Sequence, residues 1–306
     1  MTSIITNNAA MAALSTLRDV NNNLQTTQNA VSSGLRISKA SDNAAYWSIA
    51  TTMKSDDSAL GAVSDALGLG AAKVDTASTA VTSAIDIVQS IKDKLVTAQE
   101  GAVDKSDVQE EISQLQQQLE SVAQSASFSG QNWVVASAGA TASVVSSFVR
   151  SATGGVSVQS SSYNFTAGAT GNVLFGSDSV GTIDTASGIL GTEQTIGGTD
   201  YSVYSLNIVG MTSGDIGKAL SMVEQSLQAM TSLGSQLGSL SSRIDLQTSF
   251  ASSLSDSIES GVGKLVDADM ETESSKLSAL QTQQQLAVQS LSIANSSTQS
   301  LLSLFR

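Results

Sequence analysis

Few residues in this sequence could do chemistry, because the two most versatile side chains are missing. The 306 residues include no cysteine and no histidine. Without cysteine there are no disulfides or thiolate metal sites, and without histidine the side chain most used for proton transfer near neutral pH is absent. The serine-nucleophile patterns Gly-x-Ser-x-Gly and Ser-x-x-Lys do not occur. We therefore expect no catalytic residue, no bound cofactor and no enzymatic activity.

The acidic segment Asp267–Glu273 is the strongest candidate for a metal site. Its four carboxylates alternate with other residues over seven positions, and Ca²⁺ prefers carboxylate oxygens. The segment lacks the glycine and the terminal bidentate glutamate of an EF-hand loop. A solvated hinge between helices is therefore favoured over calcium, and no metal ligand is predicted.

A second candidate is the segment Gly68–Lys73, which is weakly similar to a phosphate-binding loop. It does not follow a strand but lies inside a heptad repeat, in which an apolar residue recurs at every seventh position from Met53 to Leu95. Such a repeat predicts a long helix that packs lengthwise on other helices. The glycines at 61, 68 and 70 would then allow a neighbour to approach closely. The expected packing residues of this helix and its partners are Leu60, Leu67, Val74, Val81, Val88, Leu95, Ile112, Leu119, Leu220 and Leu227.

Both ends of the chain show the same helical spacing. Their outer positions are Gln, Asn, Ser and Thr, because residues 277–305 carry no charge and residues 1–35 carry only Arg18 and Asp19. Neutral polar faces suit helices that are enclosed in a repetitive polymer, where like charges would stack. We predict that both ends are weakly ordered in the isolated chain and fold when subunits stack. The expected polymerisation residues are Leu14, Leu17, Leu24, Val31, Leu35, Leu280, Leu291, Leu301, Leu302 and Phe305.

Helix boundaries can also be predicted. The first helix should end near Ser33-Gly34, and Ser41 or Asp42 should cap a helix that runs to about Ala98. Ser106 or Asp107 should cap a shorter antiparallel helix. Beyond residue 211 the apolar row should shift near Gly234 to a second row, Leu233, Leu240, Leu246, Phe250 and Leu254. The absence of proline permits helices of this length.

The middle of the chain, residues 131–210, has a different character. It holds half of the 24 glycines and short clusters of Val, Tyr, Phe and Thr. We expect a small β-rich region with many turns, and low-complexity disorder is the alternative. The expected fold class is therefore mainly α with a small β-rich insert, in which the N- and C-terminal segments form a long coiled-coil rod.

Charge and hydropathy exclude several classes of partner. The formal charge of −13 argues against nucleic acid and against anionic membranes. No apolar run is long enough to span a bilayer, and no conventional leader opens the sequence. We expect a protein that is soluble when made and, if exported, leaves without a cleaved leader.

Several motifs resemble bacterial flagellin. Ser32–Ile37 with Ala40–Ala45 is similar to the N-terminal signature of that family, and Phe128–Gly130 is similar to its Phe-Asn-Gly. Ser242–Ile244, Asp267–Glu273 and Ser300–Arg306 are similar to the C-terminal signature. Tyr46–Ala50 and Asn132-Trp133 resemble the rhizobial, alphaproteobacterial branch.

The resemblance implies an arrangement that the pattern alone does not order. Residues 1–44 and 266–306 would form the inner terminal helices, 45–138 and 211–265 a helical rod domain, and 139–210 an outer variable domain. It also implies an extracellular filament subunit for swimming, secreted unfolded and assembled at the filament tip. The implied partners are copies of the chain, paralogous flagellins, an export chaperone, the filament cap and hook-associated proteins.

Two further expectations follow from the resemblance. Ser90 and Lys94 stand where receptor-activating flagellins have Arg and Leu, while Glu111 matches them, so we expect poor activation of the animal innate receptor. A hook-filament junction protein with flagellin-like ends is the alternative function, and the closing residues Leu301–Arg306 favour flagellin. An exported enzyme or adhesin would need a convergent polar site in residues 139–210, and the sequence shows none.

Overall fold

The computed structural model describes residues 6–100, 103–151, 154–178 and 182–303. In this part of the chain the helices are α1 (Asn8–Ser33), α2 (Ala44–Ala98), α3 (Lys105–Ser125), α4 (Ser213–Val266) and α5 (Met270–Ser303). Between α3 and α4 the strands are β1 (Ser127–Phe128), β2 (Gln131–Asn132), β3 (Thr141–Arg150), β4 (Val156–Asn164), β5 (Gly176–Ser177), β6 (Ile183–Asp184), β7 (Gln194–Ile196) and β8 (Thr199–Tyr201). The prediction of a mainly α chain with a small β-rich insert is confirmed.

Among the described residues, each strand between α3 and α4 pairs with a neighbour in sequence. They form four two-stranded antiparallel sheets, of which the β3–β4 hairpin is the longest. Thr141 lies opposite Asn164 and Arg150 opposite Val156, with a bulge between Val145 and Ser147. The described part of the insert is therefore β-rich, as the clusters of Val, Tyr and Thr indicate, and the disorder alternative does not apply to the hairpin.

The chain divides into two compact units. The terminal unit contains Met1–Ser58 and Ser255–Arg306, and the central unit contains Ala59–Leu254. Helices α2 and α4 contribute residues to both units. Among the described helices, none combines the length and the apolar character that a bilayer-crossing segment needs.

The heptad positions of α2 form one side of the core in the central unit. Leu67, Val74, Val88 and Leu95 are almost completely buried, and Leu60 is buried near the end of the unit. Of the other expected packing residues, Val81, Ile112, Leu119 and Leu227 are buried and Leu220 is half-buried against the same core. The seven-residue spacing therefore places each of these side chains on a packed helix face.

Gly70 is the point at which α2 contacts the insert. A β-carbon at this position would overlap the side chain of Val144 in β3. The missing side chain therefore lets the hairpin lie directly on the helix, which is the close approach that the sequence suggested. At Gly61 and Gly68 no neighbouring atom lies within 4 Å of where a β-carbon would be, so those glycines have no such role in the described contacts.

The insert shares its hydrophobic core with the helices of the central unit. Val173, Leu174, Phe175 and Leu190 are buried in the same cluster as the α2 heptad residues. An aromatic group extends this cluster, because Trp133 stacks on Tyr163 at 5.7 Å between ring centroids and meets Phe165 edge-on at 6.0 Å. Burial raises the pKa of the Tyr163 hydroxyl. These three aromatic residues thus pack together in the core that the insert shares with the helices.

Two glutamines of α3 hold the end of the insert. Gln116 is buried, and its Nε2 donates to the carbonyl oxygens of Val203 and Leu206, both at 3.0 Å. Gln109 donates to the Leu206 carbonyl at 3.1 Å and accepts from the Ile208 amide at 2.8 Å. These side chains supply the partners that an irregular buried backbone needs.

Three local predictions were wrong. The side chain at the start of α2 that accepts backbone amides is Asn43, which bonds Ala45 and Tyr46, whereas Asp42 bonds Ser38 and Lys39 in the preceding turn. The N-cap of α3 is Asp104, whose side chain accepts from the Ser106 amide at 2.8 Å. Each correction moves a cap by one to three residues, because several neighbouring polar side chains can bond the same amides.

The third wrong prediction concerns the second apolar row of α4. Leu233 and Leu240 are buried, but Leu246 is 72% exposed and Phe250 is 59% exposed. The buried face instead continues from Leu237 through Leu240 to Ile244 and Ala251. Leu246 and Phe250 therefore lie on the solvent side of the helix, whereas Leu254, the last residue of the predicted row, is half-buried.

Candidate assembly surfaces

Helices α1 and α5 pack along each other in the terminal unit. Near the start of α1, Asn7 donates to the carbonyl oxygen of Ala294 at 2.9 Å, and further along Gln284 donates to the Asn21 side chain at 2.7 Å. Just after α1, Leu35 forms an antiparallel bridge with Asp267. Residue numbers rise on α1 as they fall on α5, so the two ends of the chain form an antiparallel helix pair.

The contact between these helices follows a heptad spacing on both sides. Residues on this face are buried or half-buried, while most of their neighbours are exposed. On α1 the row consists of Ala10, Ala13, Leu17, Val20, Leu24, Thr27 and Val31. On α5 it consists of Glu273, Leu277, Leu280, Gln284, Ala287, Leu291 and Ala294. We call these two rows together the terminal seam.

The structure places most of the predicted polymerisation residues on this seam. Leu17, Leu24 and Val31 lie on the α1 row, and Leu280 and Leu291 lie on the α5 row. Leu35 follows α1 in the bridge to Asp267, and Leu14 lies off the row and is 36% exposed. Leu301 and Leu302 belong to α5 but lie beyond the side chains that the structure describes, and Phe305 lies outside the described residues.

Sequence reasoning missed several members of the seam. Ala10, Ala13, Val20 and Thr27 complete the alternating three- and four-residue spacing of α1, and Thr27 is 1% exposed. Its Oγ1 has no hydrogen-bond partner. Alanine and threonine carry little hydrophobic signal by themselves. Continuing the three- and four-residue spacing through small side chains would have predicted these positions.

A backbone connection joins the end of α1 to the joint between α4 and α5. The amides of Arg36 and Ile37 donate to the Val266 carbonyl at 2.7 and 3.2 Å, and the Ala268 amide donates to the Gly34 carbonyl at 2.9 Å. Gly34 caps α1 with φ of 71°, a left-handed conformation that favours glycine. Beneath this connection, Ile37 packs with Ala50, Val262 and Val266. The signature segments at 32–37 and 267–273 thus meet in one joint.

The acidic segment at this joint acts through capping. Asp269 accepts hydrogen bonds from the Thr272 hydroxyl at 2.8 Å and from the Thr272 and Glu271 amides. These bonds hold the pKa of the Asp269 carboxyl below its usual value, and the bond from the Thr272 hydroxyl is the largest cause. Within the described residues, no cluster of acidic side chains has a geometry that could hold a metal ion. Asp269 thus serves as the N-cap of α5.

The lowered pKa gives a testable pH dependence for the start of α5. A depressed carboxyl pKa contributes stability above the unfolded value of about 3.8, and that contribution is lost as the pH falls through the lower folded pKa. We expect the amide resonances of Glu271 and Thr272 to shift with a midpoint below 3.8 in an NMR titration. Asp269→Asn should remove this titration. A midpoint at or above the usual aspartate value would contradict the capping role.

The faces of α1 and α5 that point away from the seam carry a few exposed apolar side chains among neutral polar residues and are nearly uncharged. Their large exposed side chains are Met11, Leu14, Leu286, Val288 and Ile293, and Ile293 is 69% exposed. Within residues 8–33 of α1 and 277–296 of α5, the only charged residues are Arg18 and Asp19. Such a surface has little to repel an identical one. It suits contact with other copies of the same helices.

The predicted receptor-like residues lie together on the central unit. The Ser90 hydroxyl donates to the Asp86 carbonyl at 2.9 Å on its own helix. The Lys94 ammonium on α2 forms an ion pair with the carboxylate of Glu111 on α3. Both side chains remain largely exposed, so this pair contributes little to stability but keeps two of the three side chains engaged with each other.

Comparison with known proteins gives a consistent result over the whole chain. Residues 4–138 match the family model for the bacterial flagellin N-terminal helical region, and residues 220–305 match that for the C-terminal helical region. The chain is 47% identical to flagellin A and 46% identical to flagellin B of Rhizobium meliloti, with both chains covered in full. It is 44% identical to a flagellin of Brucella melitensis biotype 1, again over the full length of both.

Proposed function

Because the chain belongs to the bacterial flagellin family, we propose that its paired terminal helices α1 and α5 are the surfaces through which copies of the chain join. As a member of this family the chain is a structural subunit of the flagellar filament and not an enzyme. Its place is the extracellular filament. The relatives described above are all flagellins, so they give no support to the hook-filament junction alternative.

The observation that carries the proposal is the character of the terminal pair. The seam buries few large side chains, since Val20, Thr27, Leu280 and Ala287 are its buried members among the described side chains, and the others are half-buried. Apolar residues on the opposite faces stay in water. A pair that buries so little gains little to offset the conformational entropy of ordering two long helices. Burial of the outer faces against other copies would supply the missing stabilisation.

The proposed arrangement has three layers. Residues 1–44 and 266–306 form the inner layer, 45–138 and 211–265 the next, and 139–210 face outward. The neutral terminal helices support the inner assignment, because their polar residues bring no like charges together. The insert carries several acidic residues, including Asp184 and Asp200, and it has exposed loops. Both features suit a surface in contact with water.

We further propose the route by which the subunit reaches the filament. In the cytoplasm a chaperone binds the C-terminal helix, and the chain is then secreted unfolded. It is added to the tip of the filament beneath a cap. The base of the filament is joined to hook-associated proteins. The absence of cysteine and proline supports this route, because neither disulfide exchange nor proline isomerisation would delay refolding. Flagellins A and B occur together in Rhizobium meliloti, which supports co-polymerisation of this chain with paralogues.

Hydrogen exchange tests the central proposal. In the isolated chain, residues 5–30 and 280–300 should exchange much faster than the core of the central unit. After growth onto filament fragments, the same residues should become strongly protected, because stacking buries their outer faces. Strong protection already present in the isolated chain would contradict the proposal, and so would failure of the chain to grow onto fragments in electron micrographs.

The receptor-like residues give a second prediction. We expect purified protein to activate reporter cells carrying the animal flagellin receptor only weakly, because Lys94 replaces an apolar anchor and is paired with Glu111. Lys94→Leu should raise potency by about tenfold or more. Lys73→Leu, on the same helix, is the control and should change nothing. Full potency of the unaltered protein would contradict the prediction.

A further inference from the structure

Met53 on α2 is the one methionine of the described residues that is partly accessible to solvent and also part of a hydrophobic cluster. Met11 and Met270 are exposed and contribute to neither hydrophobic cluster. The remaining described methionines are buried in the core of the central unit and are Met211, Met222 and Met230. A small solute can therefore reach Met53, and a chemical change at Met53 alters packing.

The cluster that contains Met53 is small and lies within the terminal unit. Its buried members are Ile37, Ala50, Val262 and Val266. The Met53 Cε atom lies 2.9 Å from where a β-carbon at Gly261 would be. The methyl group thus packs in space that the missing side chain of Gly261 leaves open, so α2 and the end of α4 approach closely at Met53.

This cluster supports the backbone connection at the end of α1. The Ile37 amide donates to the Val266 carbonyl at 3.2 Å, and the side chains of the same two residues are buried in the cluster. With four buried members, the cluster has little packing to lose. A change that weakens the cluster should therefore also open the backbone hydrogen bonds of the joint.

We propose that Met53 is a site of oxidative modification, and that its oxidation by hydrogen peroxide lowers the ability of the chain to grow onto filament fragments. The chain has no cysteine, so its sulfur chemistry is confined to methionine. A lone pair of Sγ attacks one peroxide oxygen, an S–O bond forms, and the O–O bond breaks. The proton of the transferred oxygen goes to the departing hydroxide, so the products are methionine sulfoxide and water. The effect on growth rests on the proposed function.

The sulfoxide changes the packing because its oxygen is polar. Sγ is bonded to the methyl group that packs at Gly261, so the new oxygen lies close to the tightest contact of the side chain. The S–O group must either lose its hydrogen bonds with water or move away from the cluster. Both results weaken the cluster beneath the joint. Met11 and Met270 have no such contacts, so their oxidation leaves the cluster intact.

Peroxide treatment of the isolated chain, followed by peptide mass spectrometry, tests whether Met53 is modified. We expect Met53 to gain one oxygen at least about tenfold faster than Met222 and Met230, which are 2% and 0% exposed. Hydrogen exchange at the amides of Ile37 and Ala268 should become faster after treatment, because both amides donate across the joint. Equal oxidation rates at the three methionines, or unchanged exchange at these amides, would overturn the inference.

A pair of variants isolates the effect of Met53 on growth. Met11→Leu with Met270→Leu leaves Met53 as the accessible methionine of the described residues, and the matched chain carries Met53→Leu in addition. Met1 is the same in both chains. After identical peroxide treatment, the critical concentration for growth should rise by about tenfold or more in the first chain and stay within about threefold in the second.

Equal changes in the two treated chains would overturn this inference and leave the proposed function intact. If the untreated, unaltered chain does not grow onto fragments, the proposed function fails. The exchange rates of the two peroxide-treated variants then decide whether oxidation of Met53 loosens the joint.

Discussion

Replacement of Ala287 by aspartate is expected to abolish growth onto filament fragments. Ala287 is 9% exposed on the α5 row of the terminal seam and lies beside Ala13, Val20 and Ser290 around a small cavity. An aspartate there would bring a carboxylate into a cavity whose lining residues are all uncharged. A buried charge without a partner costs about 3–5 kcal/mol, which corresponds to more than about a hundredfold in the critical concentration.

The matched control for this variant is Ala287→Ser. Serine is close to alanine in size and occurs throughout α5, so it changes polarity without adding charge. We expect the critical concentration of the serine variant to stay within about threefold of the unaltered chain. Sedimentation of seeded samples measures both variants. Equal growth of the aspartate and serine variants would show that the terminal seam is not needed for assembly.

Replacement of Gln116 by alanine is expected to destabilise the central unit and release the end of the insert. The change removes both hydrogen bonds of Nε2, which leaves the Val203 carbonyl without this donor while the Leu206 carbonyl keeps the bond from Gln109. A buried carbonyl that loses its donor costs about 1–3 kcal/mol of the unfolding free energy. Urea unfolding measures the loss, and hydrogen exchange should rise at residues 203–208.

Gln117→Ala provides the control for this prediction. Gln117 is the next residue of the same helix and is exposed, so its replacement should change the unfolding free energy by no more than about 0.5 kcal/mol. Helix propensity favours alanine slightly over glutamine in both variants, which cancels in the comparison. If the two variants lose the same stability, the buried glutamine does not hold the insert.

Much of the helical framework could be predicted from apolar spacing. The heptad of α2 is buried where the sequence placed it, and Leu17, Leu24, Leu280 and Leu291 lie on a packed face. Spacing succeeds here because the face that a residue occupies on a helix is a local geometric property, fixed by about 3.6 residues per turn. The strand-rich character of the middle followed in the same way from its glycines and β-branched clusters.

Spacing does not tell which face meets a neighbour. Leu246 and Phe250 are spaced like core residues, yet α4 turns that row to solvent, because Leu240, Ile244 and Ala251 already fill the buried face. For polar residues, the expectation from sequence fails in the opposite direction. Gln116 and Thr27 look like surface residues, but both are buried where another segment of the chain covers them.

The sequence by itself determined that long uncharged helices occur at both ends, that a strand-rich insert separates them, and that no histidine or cysteine chemistry is available. Only the tertiary structure decided that Thr27 belongs to the contact between the ends, that Asp269 caps α5, and that Lys94 is paired with Glu111. The physical reason is that helix formation depends on neighbours along the chain, whereas burial, pairing and exposure depend on residues far away in sequence that folding brings into contact.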